Sequence, residues 1–158
     1  MEQSEMRNNA TIYDLLKQDH KDVKKLFKQI VDQNRYQNNV YMQIKNALSV
    51  HIAGEEKVFY NRLADNAETR QLVLSAFEEH DVGRKVISDI DNSSEDDVKL
   101  AKIKVLNEAI NEHIKQEEDD LFKMAKKVLS DDEGREIGRQ FINEKMQSMP
   151  KMSSMPNP

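Results

Sequence analysis

Apolar residues recur along this chain at the roughly three-to-four-residue step of an amphipathic helix, and β-branched alternation is absent. Thr11-x-x-Asp14 has the form of a helix cap and precedes a stripe of Leu16, Val23, Phe27 and Ile30. The polar stretch QNRYQNN interrupts the pattern, which resumes with Ile44, Ala47, Leu48, Val58, Phe59 and Leu63. Asp65-x-x-Glu68 reads as the opening of a third helix, carrying Val73, Phe77, Ile87 and Ile90. DNSSEDD supplies a loop and a cap before a long fourth stripe of Val98, Ile103, Leu106, Ile110, Leu121, Met124 and Val128. Ser130-x-x-Glu133 starts a shorter fifth helix ending near Gln147. All three prolines (Pro150, Pro156, Pro158) fall beyond that point, so only glycine interrupts the helical composition before it. The prediction is an all-α protein. Helices of ~20–30 residues joined by short loops form an antiparallel up-down four-helix bundle with a short fifth C-terminal helix. Residues 1–10 are expected to be a flexible N-terminus, 11–147 the bundle, and 148–158 a disordered tail.

Composition narrows the function classes. A chain of 158 residues is sized for one core, and 37% hydrophobic residues suffice to fill it despite 34% charged ones. The net charge of −5 argues against nucleic acid and anionic membranes as partners. No run reaches the length of a membrane span, and MEQSEMRNNA lacks the apolar stretch of an export signal, so the expected compartment is the cytoplasm. The absence of cysteine excludes disulfides, thiolate metal sites and cysteine nucleophiles.

The candidate chemistry lies in the four histidines, His20, His51, His80 and His113. Each continues the apolar stripe of its own helix, so all should point into the bundle. His51 in HIAGEEKVFY and His113 in HIKQEEDDLF are each followed one helical turn later by a glutamate, Glu55 and Glu117. A step of four residues turns a helix by ~40° and climbs ~6 Å, so each pair shares a face. The stretches QDHKDVKKLFKQI and EEHDVGRKVISDI are also alike around the first histidine of each half. A single inward histidine is ordinarily a hydrogen-bonded core residue. Four imidazoles and two carboxylates in one apolar interior are costly unless something satisfies them together, and a pair of metal ions does so. Each half of a duplicated helix pair then supplies one histidine from its first helix and a His-x-x-x-Glu from its second.

LLKQDHKDVKKLF, HIAGEEKVFY, FEEHDVGRKVI and NEHIKQEEDDLF resemble the four ligand-bearing helices of the hemerythrin family, in its bacterial HHE cation-binding branch, over residues ~11–128. The resemblance implies a non-heme diiron centre, oxo- or hydroxo-bridged, in a four-helix bundle. It assigns His20 and His51 to one iron, His80 and His113 to the other, and Glu55 and Glu117 as bridges. Imidazole with carboxylate is also a donor set that suits non-heme iron. The Glu-x-x-His pattern of ferritin-like diiron proteins is absent at every histidine. What the resemblance implies is binding of a small oxidant (dioxygen, nitric oxide or peroxide) in sensing or oxidative stress response. The alternatives are peroxide consumption of a catalase, peroxidase or oxidase-like kind, and iron handling or iron–sulfur repair. With no signalling domain expected in these 158 residues, a sensor role would call for a separate protein partner that the sequence does not identify.

The match departs from the oxygen-carrying hemerythrins in two places. They carry a second histidine one turn after that of the third helix, where this chain has Arg84. Their last carboxylate sits where this chain has Glu118, but on a regular helix that residue points ~140° from His113, which favours Glu117. Glu56 and Glu118 are then expected beside the ligands or in solvent. Gly54 and Gly83, one inside each motif region, mark either close approach and room for a ligand or plain surface positions. Met146, Met149, Met152 and Met155 are soft donors in principle but read as part of the tail. None of Tyr13, Tyr36, Tyr41 and Tyr60 is an obvious ligand, though a tyrosine beside an iron pair can be redox-active.

Overall fold

The capping box at Thr11 forms as its sequence predicts: the Asp14 N–H donates to Thr11 Oγ1 at 3.3 Å, and the Thr11 N–H to the Asp14 carboxylate at 3.4 Å. It starts α1 (Ile12–Val31) in a computed structural model that describes residues 9–153. Residues 1–8 and 154–158, and with them most of the expected flexible N-terminus and part of the expected tail, lie outside the described residues. Asn34, at φ 50°, turns the chain in the left-handed region that asparagine tolerates. Next, α2 (38–64) runs as Asn38–Glu55, a π-helical turn Glu56–Tyr60, and Asn61–Ala64. Helix α3 is Arg70–Asp91. Helix α4 (96–128) repeats the plan of α2, with Asp96–Gln116, a π-helical turn Glu117–Leu121, and Phe122–Val128. Helix α5 is Asp131–Ser153. No strand occurs among the described residues, and the all-helical class holds.

Three boundaries differ from the sequence pattern. Helix α3 opens at Thr69, whose hydroxyl donates to the Leu63 carbonyl at 2.7 Å and so ties the end of α2 to the next helix. Residues 65–68 form a connector, because Asn66 accepts the Glu68 N–H at 2.9 Å in a local turn that competes with helix. Val98 and Ala47 are exposed, and the buried stripe of α4 begins at Ile103. Helix α5 is capped as expected by Ser130 and Glu133, each accepting the other's N–H at 3.1 Å, but it runs past Gln147 into the stretch expected to be disordered. Met146 is exposed and Met155 is outside the described residues.

The helices pack α1 on α2, α2 on α3, α3 on α4 and α4 on α1, and α5 lies across α1 and α2. Glycines permit α5 to dock closely. A Cβ on Gly138 would come 2.7 Å from the Ala10 carbonyl oxygen, and one on Gly54 would come 3.0 Å from the Phe141 ring. Gly54 is therefore a helix-approach position. Gly83 is buried, but a Cβ there would meet only Ile110, at 3.7 Å. Buried side chains form two clusters, one around Tyr13, Leu16, Phe59, Tyr60, Phe122 and Phe141, the other around Val23, Phe27, Leu48, Ile90 and Ile110. Each histidine sits on its helix at the divide between them: His20 follows Leu16 and precedes Val23, while His113 follows Ile110 and precedes Leu121.

Candidate metal centre

One histidine per helix points into the space between the two clusters, and His20, His51, Glu55, His80, His113 and Glu117 are all buried. Their inward atoms converge. His20 Nε2 lies 3.1 Å from Glu117, and His80 Nε2 lies 3.1 Å from Glu55, each across the two halves of the chain. Within each half, His51 Nε2 lies 3.6 Å from Glu55 and His113 Nε2 3.5 Å from Glu117. Two four-residue groups result, each with donor atoms within 4.8 Å of one another: His20, His51, Glu55 and Glu117, and Glu55, His80, His113 and Glu117. Both glutamates belong to both groups, and each group takes its histidines from one half of the duplication. The structure thus brings all six sequence-predicted residues together.

The outward ring nitrogens are held by carboxylates. His51 Nδ1 meets Asp19 at 2.9 Å and His113 Nδ1 meets Glu79 at 2.9 Å, both within one half. His20 Nδ1 meets Glu118 at 2.6 Å and His80 Nδ1 meets Glu56 at 2.9 Å, both across halves. A carboxylate on Nδ1 fixes the ring and leaves Nε2 as the lone-pair atom aimed inward, which is the usual support of a metal-bound imidazole. The duplication therefore extends one layer beyond the six residues. Asp19 and Glu79 were missed in the sequence, although each directly precedes the first histidine of its half. Two of these carboxylates are themselves tied down: Lys145 of α5 donates to Asp19 at 2.6 Å, and Arg84 to Glu56 at 2.6 Å. Arg84 also reaches Asp81 at 2.7 Å, so its guanidinium faces outward and acts on His80 only through Glu56.

Both His-x-x-x-Glu segments run into π-helical turns, a feature frequent at functional sites. The extra residue in each turn rotates the helix beyond it, so Phe59 and Tyr60 are buried along with Glu55. Tyr60 stacks on His80 (centroids 5.1 Å apart, 21° between planes) and donates its hydroxyl to Glu117. The same hydroxyl lies 3.5 Å from His80 Nε2 and 3.4 Å from His113 Nε2. Sequence reading gave it no such place.

Taken as a protein interior alone, the cluster is poorly satisfied. His20 Nε2, both oxygens of Glu55 and Oε1 of Glu117 are buried with no hydrogen-bond partner. Burial and the facing Glu117 charge push the Glu55 carboxyl up to about 8. Burial opposes ionisation of Glu117 too, but the close approach of the His113 and His20 rings outweighs it and holds that carboxyl well below its usual range. Burial likewise works against a charged His113, yet Glu117 and Glu79 raise it to about 10. Burial and the His113 charge push His80 down to about 4. Without a cation the six groups divide protons unevenly, whereas cations would satisfy the four orphaned atoms at once. The residues fit a metal pair.

A cavity of about 510 Å³ opens onto the centre from the side of the second cluster, with all four histidines in its lining, walls of Val23, Leu48, Ile52, Ile110 and Ile114, and Asp19 and Lys145 at its edge. Comparison with known families agrees with this geometry. A family model described as hemerythrin HHE cation-binding domain matches residues 11–125. The chain belongs to the hemerythrin HHE cation-binding domain family. Searches of curated proteins and of solved structures give no match. The match spans α1 to α4 and leaves α5 outside it, so the Lys145 contact to Asp19 is an addition to the matched domain in this hemerythrin-like chain. Among its described residues no helix is long and apolar enough to cross a membrane.

Proposed function

We propose that this hemerythrin-like chain is a non-heme diiron protein that binds a small oxidant (dioxygen, nitric oxide or peroxide) and serves oxygen or nitric oxide sensing or the oxidative stress response. The ligands on this reading are His20, His51, Glu55, His80, His113 and Glu117. The observation that carries it is the pair of overlapping donor groups that share both buried glutamates. Nitrogen and carboxylate donors without thiolate suit iron among the common redox metals. Bound there, iron would supply one-electron redox chemistry and positions open to a small ligand. The residues themselves do the rest. Asp19, Glu56, Glu79 and Glu118 hold the imidazoles in register, and the apolar cavity admits a small neutral molecule to the centre while excluding hydrated ions. The antiparallel up-down order of α1 to α4 belongs to the same reading, supported by the closed ring of neighbours and the short connections.

A second reading, peroxide consumption, is favoured by one observation: each donor group holds only four residues, with the position after His80 filled by outward-facing Arg84 rather than a further histidine. The test is spectroscopic. Protein loaded anaerobically with ferrous iron is mixed separately with dioxygen, nitric oxide and hydrogen peroxide. An absorption change with at least one of them is expected. Catalytic disappearance of peroxide selects the enzyme reading, and no response to any of the three would overturn both.

A further inference from the structure

The two halves repeat each other in kind of group, imidazole for imidazole and carboxylate for carboxylate, at every position of the centre but one. Alignment of HIAGEEKVFY with HIKQEEDDLF sets Tyr60 opposite Phe122. Both are buried, and each lies with its ring plane near that of a histidine: Tyr60 on His80, and Phe122 near His20 at 6.5 Å and 10°. Only one of them brings an oxygen. We propose that Tyr60 is a ligand of the metal held by His80, His113, Glu55 and Glu117, so that the two metal positions are chemically unlike.

Placement is the first argument. The Tyr60 hydroxyl contacts Glu117 and lies within 3.5 Å of the inward nitrogens of both His80 and His113, so it stands among the donors of that group and not behind them. A tyrosine that only supported a ligand would face an outward atom, as Asp19, Glu56, Glu79 and Glu118 do. Local structure is the second. On a regular helix a residue nine after His51 points about 180° away from it. The π-helical turn Glu56–Tyr60 takes back about 100° of that rotation, one residue's worth, and so swings Tyr60 toward the histidine side, where its hydroxyl reaches His80 and His113. Chemistry is the third. Phenolic oxygen is a hard donor that matches ferric iron. On coordination the O–H bond breaks, an oxygen lone pair forms the metal–oxygen bond, and the proton leaves to solvent with no change in electron count.

The consequence is a division of labour. The position at His80 and His113 gains a fifth protein ligand. The position at His20 and His51 has Phe122 near His20 on the corresponding side and keeps four ligands, while the cavity, lined by all four histidines, reaches both positions. The small oxidant therefore binds at the His20 and His51 position.

This inference rests on the paired-metal reading, and the test separates the two. Wild type and Tyr60→Phe are loaded with ferrous iron, oxidised in air, and measured for iron per chain, visible absorption and resonance Raman scattering. The expected result is a visible phenolate-to-iron charge-transfer band with enhanced tyrosine ring vibrations in wild type. Tyr60→Phe should keep both irons and lose the band. Should that variant not fold, ring-deuterated tyrosine in wild type must shift the enhanced vibrations. Both irons bound without tyrosine enhancement, or the band retained in Tyr60→Phe, overturns the inference and leaves the paired-metal reading standing. A wild type that binds no iron overturns both.

Discussion

Glu55→Gln should stabilise the metal-free protein while destroying its metal centre. Glu55 is fully buried, its two oxygens have no hydrogen-bond partner, and its carboxyl is pushed up to about 8 by burial and by Glu117. At pH 7 the unfolded carboxyl is ionised and the folded one protonated. The span from its ordinary 4.5 to pH 7 corresponds to ~3 kcal/mol against folding, at about 1.36 kcal/mol per pH unit. The sign comes from linkage. A carboxyl raised in the folded state contributes stability that is whole below pH 4.5 and is lost as the pH climbs to about 8. Glutamine, which does not titrate, avoids that loss, and imperfect packing of its amide takes back a part. A gain of ~1–3 kcal/mol at pH 7 raises the melting temperature by about 2–12 °C in a domain of this size. The advantage should be small at pH 5 and largest near pH 8. Glu117→Gln should do the reverse and destabilise the metal-free protein, because Glu117 is the carboxylate that His113, His20 and Tyr60 already partner. Thermal melts by circular dichroism in chelator, from pH 5 to 8, measure both variants, and the same melts with added metal should show no metal-induced gain for Glu55→Gln. A Glu55→Gln protein that melts below wild type in chelator, or that keeps the full metal-induced gain, refutes this account of the centre.

The same contacts set the behaviour of the metal-free wild type, which should melt lower at pH 8 than at pH 6.5: Glu55 and His113 are both raised and lose much of their contribution over this window, while His80, lowered to about 4 when folded, offsets only the little that its unfolded form gains by finishing its titration from 6.5. Metal binding displaces those protons, so the gap between loaded and metal-free melts should widen with pH. Asp19→Ala, Glu56→Ala, Glu79→Ala and Glu118→Ala should each weaken metal affinity by about 10–100-fold, as loss of a carboxylate behind a ligand imidazole does, measurable by competition with a chelator of known affinity. Arg84→Ala, which removes ion pairs to Glu56 and Asp81, should have a smaller effect in the same assay. Gly138→Ala should lower the melting temperature, since its Cβ meets a backbone carbonyl at 2.7 Å, whereas Gly83→Ala should leave it unchanged or raise it by the helix-propensity gain of ~1 kcal/mol. Equal melts for those two variants would show that α5 does not dock as described.

Much of this was legible in the sequence because helix periodicity and capping are local. Thr11 with Asp14 and Ser130 with Glu133 form the boxes their spacing announces, and the histidines fall on stripes that must face inward. Pairs such as Asp19 with His51 were not legible, since they depend on which helices become neighbours, and a charge-rich chain offers many acids next to histidines. Regular-helix geometry also misled. It turns Glu55 and Glu117 inward and sets Glu56 and Glu118 apart from them, as the structure also does, but the π-helical turns just beyond them change the facing of later residues, Tyr60 among them. The start of α3 moved for a related reason: a local asparagine turn at Asn66 outcompeted the helix start written at Asp65.

Metal stoichiometry tests the central claim most directly. Apoprotein titrated anaerobically with ferrous iron, freed of loose metal and analysed for iron per chain should hold two ions in the wild type. His51→Ala and His113→Ala, from opposite donor groups, should each hold fewer. A wild type that retains no iron, or a double variant of His51 and His113 that still retains both ions, would contradict the assignment of this buried cluster as a paired-metal centre.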